Sequence, residues 1–229
     1  MSYKLLRPAY PVRQWALIGR RGAGKTAFIG AMRQPILMID ADRHAQDLAN
    51  RGAQVCLLSE DPMDMSDPLR VHDLLKAGGS GGCRTVAFDS LTQITDSLVA
   101  SAMEGNRRGL NKNKSAAFTS KADALRLISS GMTACGVDAA YVWHFEDARD
   151  KDGKAVVRPT LSTTERERLQ KVLTAIIEIG EDDKGRYAKV RWSRPGPSGS
   201  VFRDESGFWA GIPDRIEQHL YAEVAAAAA

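Results

Sequence analysis

Residues 15–26 read Trp-Ala-Leu-Ile-Gly-Arg-Arg-Gly-Ala-Gly-Lys-Thr, an apolar run that leads directly into a glycine-rich segment. That segment, Gly19-Arg20-Arg21-Gly22-Ala23-Gly24-Lys25-Thr26, fits the pattern G-x-x-x-x-G-K-[ST] at every required position. The apolar run at 15–18 predicts a buried strand, and residues 25–33 have a helical pattern. A strand, this loop and a helix in that order predict a phosphate-binding loop, and they disfavour a chance glycine-rich turn.

The chemistry of this segment, called the phosphate loop below, explains its residue types. Glycines let consecutive backbone N–H groups turn towards a β-phosphate, which also meets the positive end of the following helix. Lys25 would reach the β- and γ-phosphates, and Thr26 would offer its hydroxyl to Mg²⁺. The sequence therefore predicts a nucleoside-triphosphate site formed by residues 19–26.

Short apolar runs alternate with helical patterns along the chain. The apolar runs lie at 15–18, 36–39, 54–58, 85–88 and 139–143, and the helical patterns lie at 25–33, 45–51, 67–77 and 116–135. This alternation predicts an α/β fold with a mostly parallel central sheet flanked by helices.

The later part of the chain has a different pattern. Runs at 176–179 and 187–192 flank Glu181-Asp182-Asp183-Lys184-Gly185 and predict a C-terminal β-hairpin. Two further segments, 105–115 and 146–163, are predicted to be mobile loops, the second with a possible small hairpin tip at 150–153.

Length and composition exclude several classes of protein. The 229 residues carry 32 basic and 28 acidic side chains, a net charge of +4 that is too small for a polycation. No apolar run is long enough to span a bilayer, and residues 1–14 lack the apolar stretch of a signal peptide. We therefore expect a cytoplasmic protein with one domain at 1–221 and a disordered or artefactual alanine-rich tail at 222–229.

The three cysteines, Cys56, Cys83 and Cys135, have no C-x-x-C spacing. An odd number of cysteines without that spacing argues against a disulfide scaffold or a zinc site.

Acidic residues follow two of the predicted strands. Asp89 ends the run at 85–88 and is predicted to hold Mg²⁺, although it could instead cap the next helix. Asp40 and Asp42 end the run at 36–39, and either could be the general base that activates water. Glu60 and Asp61, after the next strand, are competing candidates.

Several of these motifs resemble the RecA-like recombinase core. Ile39-Asp40-Ala41-Asp42-Arg43-His44 resembles the family strand that ends in Asp-Ala-Glu-His, whose Glu is the catalytic base. This resemblance assigns the base to Asp42, which is one methylene shorter than Glu.

Two later strands extend the resemblance. Thr85-Val86-Ala87-Phe88-Asp89-Ser90 resembles the family strand ending in Asp-Ser. Tyr141-Val142-Trp143-His144 resembles the strand ending in Asn-Gln, whose Gln senses the γ-phosphate, so His144 would be the sensor. The alternative for His144 is a histidine that caps a buried strand.

The resemblance covers roughly residues 12–195. Over these residues the chain is similar to phage-encoded RecA-like ATPases, the phage nucleotide-binding protein group that binds or anneals single-stranded DNA. It implies ATP and Mg²⁺ as cofactors, single-stranded DNA as a partner, and self-assembly into a filament or ring that completes ATP sites between subunits. A single-strand-binding protein is a further candidate partner.

Basic residues mark three candidate contact regions. The first DNA loop would use Arg107, Arg108, Lys112 and Lys114. The second would use Arg149, Lys151, Lys154 and Arg158, although nearby acids dilute its charge. On a late strand, the residues expected to reach a neighbouring subunit's γ-phosphate are Lys189, Arg191 and Arg194. A solvated surface is the alternative for both loops, and another DNA-facing patch is the alternative for the strand.

The leading hypothesis is an ATP-hydrolysing, single-stranded-DNA-binding protein of phage recombination or annealing. Two others stay open: an annealing scaffold that binds ATP without significant hydrolysis, and a small-molecule kinase. Four aromatic residues are predicted to be core or interface residues rather than base-stacking platforms, namely Trp192, Phe202, Phe208 and Trp209.

Overall fold

The computed structural model describes residues 10–107 and 115–222, with side chains described except at position 99 and positions 101–120. The strands are β1 (Gln14–Gly19), β2 (Ile36–Asp40), β3 (Val55–Leu57), β4 (Thr85–Asp89), β5 (Asp138–Arg149), β6 (Ala155–Pro159), β7 (Ala175–Asp182), β8 (Gly185–Ser193) and β9 (Val201–Arg203). The helices are α1 (Lys25–Gly30), α2 (Ala45–Asn50), α3 (Pro68–Gly78), α4 (Leu91–Arg107), α5 (Ser115–Ala134), α6 (Thr163–Gln170) and α7 (Ile212–Leu220). Within the described ranges, no helix is both long and apolar enough to cross a membrane.

The sheet has the order β3-β2-β4-β5-β1-β7-β8-β9, and β6 pairs with the far end of β5. The strands from β3 to β7 in this order are parallel, and β8 and β9 are antiparallel additions. The predicted mostly parallel sheet flanked by helices is confirmed, and so is the C-terminal hairpin, which is formed by β7 and β8.

Helices cover both faces of the sheet, which explains why its central strands are continuous apolar runs. On one face, Trp15 and Leu17 of β1 belong to the same buried cluster as Phe28 of α1. On the other face, Ala16 and Ile18 belong to a cluster with residues of α3, α4 and α5. Alternate residues of β1 therefore enter two separate cores.

The prediction of a mobile loop at 146–163 is wrong. Strand β5 continues to Arg149, β6 pairs with it antiparallel, and α6 begins at Thr163 behind a Ser162–Glu165 capping box. The suggested hairpin tip is confirmed, because the Asp150 carboxylate accepts the backbone N–H groups of Asp152 and Lys154 at 3.0 and 2.9 Å. The many charged residues of this exposed hairpin hid it from a prediction based on long apolar runs. Of the loop predicted at 105–115, residues 108–114 lie outside the described ranges.

A buried ion-pair network anchors the last helix to the sheet. The Arg13 side chain, 1% exposed, donates to both Glu217 carboxylate oxygens at 3.2 and 2.9 Å and also pairs with Asp214. Arg33 pairs with Glu217 at 2.6 Å and with Asp138 at 3.2 Å. The network therefore ties α7 to the starts of β1 and β5.

Replacing Arg13 by Met should lower the free energy of unfolding by about 3–5 kcal/mol, because the substitution leaves the buried Glu217 and Asp138 carboxylates short of a partner. Urea unfolding followed by circular dichroism measures this loss. Arg215→Met is the matched control, since Arg215 is exposed on the same helix and should change stability by less than about 0.5 kcal/mol. Equal free energies of unfolding for Arg13→Met and the native protein would contradict a stabilising role for the network.

Candidate functional site

The carboxyl ends of four parallel strands meet at one edge of the sheet. The strand register sets Gly19 of β1 beside His144 of β5, and Asp40 of β2 beside Asp89 of β4. A cavity of about 850 Å³ lies over this edge and is lined by the phosphate loop and by the loops that follow β2 and β4. Open parallel sheets commonly bind ligands at such an edge.

The phosphate loop has the geometry that its glycines predict. Gly24 has a φ of 95°, a left-handed conformation, and a Cβ on Gly19 would lie 2.2 Å from the Ile179 carbonyl oxygen. The Lys25 side chain is buried, and its Nζ donates to the carbonyls of Gly19 and Arg20 at 3.1 and 2.7 Å. Burial lowers the pKa of Lys25 to about 8, although nearby Asp89 opposes this shift.

Thr26 and Asp89 form the second part of the site. The Thr26 hydroxyl donates to the Asp89 carboxylate at 2.5 Å, and Asp89 is only 1% exposed. Burial raises the pKa of Asp89, because the ionised carboxylate is poorly solvated there. A bound divalent cation would offset this cost of burying the charge. A carboxylate and a hydroxyl are suitable ligands for Mg²⁺, which usually completes its coordination with water and phosphate oxygens.

Asp40 and Asp42, the two acids after β2, have different surroundings. The Asp40 carboxylate accepts the backbone N–H groups of His44 and Ala45 at 2.8 Å each, so it stabilises the start of α2. Asp42 lines the cavity, and its Oδ2 lies 3.3 Å from His144 Nε2. Burial raises the pKa of Asp42, but the hydrogen bond with His144 helps to lower it overall.

The two competing carboxylates lie elsewhere. Glu60 and Asp61 are exposed, and neither of them lines the cavity. One Asp61 oxygen accepts the Met63 backbone N–H at 2.8 Å. Of the acids considered as the base, the geometry favours Asp42.

His144 is held on the cavity wall by its backbone. Its N–H donates to the Thr92 hydroxyl at 3.1 Å, and its carbonyl accepts the backbone N–H and the hydroxyl of Thr160 at 2.9 and 3.1 Å. Its ring Nδ1 is buried without a hydrogen-bond partner among the described residues. The ring therefore faces Asp42 from the strand that continues into the β5–β6 hairpin.

The predicted DNA-binding residues are not brought together by the described structure. Arg108, Lys112 and Lys114 lie outside the described residues, and of Arg107 only the backbone is described. The second set lies on the exposed β5–β6 hairpin, where Arg158 pairs with Glu146 at 2.9 Å. Four acids balance the four basic residues of this hairpin.

The three residues predicted to act on a neighbouring subunit lie on or just after β8. Arg191 pairs with Glu178 of its own chain. Arg194 donates to the carbonyls of Gln170 and Lys171 at 3.1 and 2.9 Å, at the end of α6. Lys189 is half-buried on the same strand. Their action on a second subunit stays a prediction, and Arg191 could contribute only after leaving Glu178.

Arg186 is a cavity residue that sequence reasoning missed. It lies near the start of β8 and lines the cavity together with the phosphate loop. The prediction for this strand placed its function further along, at Lys189, Arg191 and Arg194. The turn before Arg186 could have indicated its position. That turn follows β7, which is parallel to β1, so it lies at the same edge of the sheet as the phosphate loop.

Trp209 was also missed as part of this site. It is fully buried, and its Nε1 would lie 3.3 Å from a Cβ on Gly24. It also packs edge-to-face on Phe28 of α1, with ring centroids 5.5 Å apart. No sequence pattern linked this residue to the phosphate loop, which lies about 185 positions earlier in the chain.

Gly24→Ala should lower the free energy of unfolding by at least about 1–2 kcal/mol, because Gly24 is left-handed and a methyl group would also crowd Trp209. Thermal and urea unfolding without nucleotide measure the effect. Gly78→Ala, in α3, is the matched control: its Cβ would meet nothing within 4 Å, so stability should be unchanged or slightly higher. If both variants were equally stable, Gly24 would not be constrained as described.

The fold and the phosphate loop define a P-loop protein with a RecA-like α/β fold. The sequence matches the family model described as an AAA domain over residues 13–198, so the chain belongs to this AAA-domain family. No curated protein sequence matches the chain. P-loop domains of the AAA and RecA-like types are generally ATPases that bind their nucleotide with Mg²⁺.

The chain is similar to solved structures at low sequence identity. A KaiC-like protein from the hyperthermophilic archaeon Pyrococcus horikoshii OT3 is 15% identical, with a TM-score of 0.50 over 82% of each chain. A RadB recombinase is 14% identical, with a TM-score of 0.43 over 83% of this chain and 86% of its own. At 15% identity the likeness to the KaiC-like protein concerns the fold alone.

Proposed function

We propose that this chain is an ATP-dependent, single-stranded-DNA-binding RecA-like protein that acts in phage recombination or strand annealing. One observation supports the proposed ATPase activity: Lys25, the Thr26–Asp89 pair and the Asp42–His144 pair surround the same cavity. These groups supply the parts that phosphoryl transfer to water needs, namely a phosphate cradle, a metal site, a base and a contact to the γ-phosphate.

The phosphate loop would bind the triphosphate. Lys25 would exchange its bonds to the Gly19 and Arg20 carbonyls for bonds to β- and γ-phosphate oxygens, and the negative phosphates would favour its protonated form. Thr26 and Asp89 would hold Mg²⁺, which when bound supplies positive charge to the β- and γ-phosphate oxygens.

Asp42 would orient and deprotonate the attacking water. The low pKa of Asp42 keeps its carboxylate ionised, so it can accept a hydrogen bond from water near neutral pH. His144 would donate to the γ-phosphate from Nε2, because Nδ1 is buried, so the bond between Nε2 and Asp42 must change as ATP enters. Loss of the γ-phosphate would restore that bond.

The β5–β6 hairpin is connected to the nucleotide site in two ways. His144 lies on β5 itself, and Arg20 of the phosphate loop makes two hydrogen bonds to Asp147 on the same strand, at 2.9 and 2.8 Å. Both residues of this ion pair are exposed, so it adds little to stability. These contacts support a hairpin whose position responds to the nucleotide, as a switching DNA-binding segment requires.

Contact with DNA is assigned chiefly to the first loop. Arg107, Arg108, Lys112 and Lys114 carry four positive charges within eight positions, a composition that suits a phosphate backbone. The acids of the β5–β6 hairpin cancel its basic residues, so Lys151 and Lys154 at its tip are a secondary contact. Assembly into a filament or ring would bring Lys189, Arg191 or Arg194 to a neighbouring site.

The proposal is tested by ATP turnover with and without single-stranded DNA. We expect DNA to stimulate turnover, Lys25→Ala to abolish it, and Asp42→Asn to lower it by about 100-fold while sparing ATP binding, because Asp42 acts only on the water. Phosphate release measures turnover, and equilibrium titration with ATP measures binding. Asp61→Asn is the matched control and should change neither.

Other outcomes would contradict the proposal. Turnover that persists in Lys25→Ala would remove the phosphate loop from the reaction. DNA binding without turnover in the native protein would instead favour the annealing scaffold, for which the short Asp42 and its bond to His144 provide a reason. ATP binding with no DNA binding would favour a small-molecule kinase.

A further inference from the structure

The turn after β9, residues 204–211, is fixed by its own polar side chains. The Asp204 carboxylate accepts the backbone N–H groups of Gly207 and Trp209, both at 3.0 Å. The Ser206 hydroxyl accepts those of Phe208 and Ala210 at 3.3 and 3.2 Å. Four hydrogen bonds therefore hold the backbone in a defined shape and separate two adjacent aromatic rings, one buried and one exposed.

The buried ring attaches this turn to the phosphate loop. Trp209 has a φ of 60°, a conformation that is costly for a bulky residue and is retained where the surroundings enforce it. Its ring fills the space beside Gly24 and packs on Phe28 of α1. The position of the turn relative to the nucleotide site is thus set by direct packing.

The exposed ring lies beside a small cleft. Phe208 is 61% exposed, and the Arg51 guanidinium lies 5.9 Å from the centre of its ring. Both residues line a cleft of about 130 Å³, together with Ala27 and Leu48. A large aromatic ring held in solvent by a rigid turn has an apolar face available for a ligand.

This cleft adjoins the nucleotide cavity. Ala27, Leu48 and Arg51 line both spaces, and Ala27 directly follows Thr26 of the phosphate loop. A nucleotide with its phosphates on Lys25 and Thr26 therefore has a path along α1 towards Phe208. The group at the far end of a nucleotide from its phosphates is the base.

We propose that Phe208 and Arg51 form the platform for the purine base of the nucleotide, with Phe208 stacking on its face. This inference rests on the proposed nucleotide binding and deepens it. It also replaces the expectation that Phe208 is a core or interface residue. Base-on-aromatic stacking is sequence-tolerant because every base has a π-face.

The polar groups of the cleft indicate weak choice between bases. The Gln34 amide donates one of its two N–H groups to the Gly30 carbonyl and accepts the Gln54 backbone N–H, each at 2.9 Å. Among the described residues that line the cleft, Arg51 and the second N–H of Gln34 are then the remaining side-chain donors. An arginine donates only, and both adenine and guanine present N7 as an acceptor. The platform should therefore accept ATP and GTP alike.

Calorimetric titration of the full chain with Mg-ATP, Mg-GTP and inorganic tripolyphosphate separates base recognition from phosphate recognition. Phe208→Ala should weaken ATP and GTP binding by about tenfold and leave tripolyphosphate binding unchanged. Phe208→Trp should retain ATP affinity. Leu69→Ala is the matched control, since Leu69 is 55% exposed on α3 and should affect none of the ligands. Circular dichroism checks that each variant is folded.

The outcomes distinguish this inference from the proposed function. If the native protein bound neither ATP nor tripolyphosphate, the proposed function would fail and the platform with it. If Phe208→Ala kept native ATP affinity, or lost tripolyphosphate binding equally, the platform would be wrong while nucleotide binding stood. A strong preference of the native protein for ATP over GTP would overturn the prediction of weak base choice.

Discussion

The parallel register of β1, β5, β4 and β2 is the constraint on which the site depends. Because these strands run in the same direction, their carboxyl ends reach one edge, where Gly19 lies beside His144 and Asp40 beside Asp89. The hydrogen bond between Thr26 and Asp89 then joins the phosphate loop to β4 across the intervening β5. A shift of one strand by one residue would turn these side chains to the opposite face.

In the proposed function, the same arrangement would connect the nucleotide state to distant surfaces. His144 and the β5–β6 hairpin belong to one continuous strand, so a change at the γ-phosphate has a direct structural route to the hairpin. On the other side of β1, the β7–β8 hairpin and the turn at 204–211 bring Arg186 and Trp209 to the phosphate loop. The loop is thus contacted by segments from both halves of the chain.

Much of this architecture could be predicted from the sequence because short local patterns, such as apolar runs and the phosphate-loop motif, specify it. The phosphate loop and Asp89 each follow an apolar strand, and a parallel sheet leaves little freedom in where such residues lie. The strands within 146–163 could not be predicted, since this exposed hairpin has many charged residues and its apolar run is only three residues long, at 155–157. The positions of Arg186, Phe208 and Trp209 could not be predicted for another reason. They are set by tertiary contacts with residues far away in sequence, and no sequence pattern specifies which partner an aromatic residue will contact.

The most direct test of the central claim is the Mg²⁺ dependence of ATP affinity, measured by calorimetry on the native chain and on Thr26→Val and Thr26→Ser. If the edge formed by β1, β4 and β5 is a Mg-nucleotide site, Mg²⁺ should tighten ATP binding by about tenfold in the native protein and in Thr26→Ser, which keeps the hydroxyl. Thr26→Val should lose that dependence. ATP affinity that is the same with and without Mg²⁺, or equal Mg²⁺ dependence in all three proteins, would contradict the account.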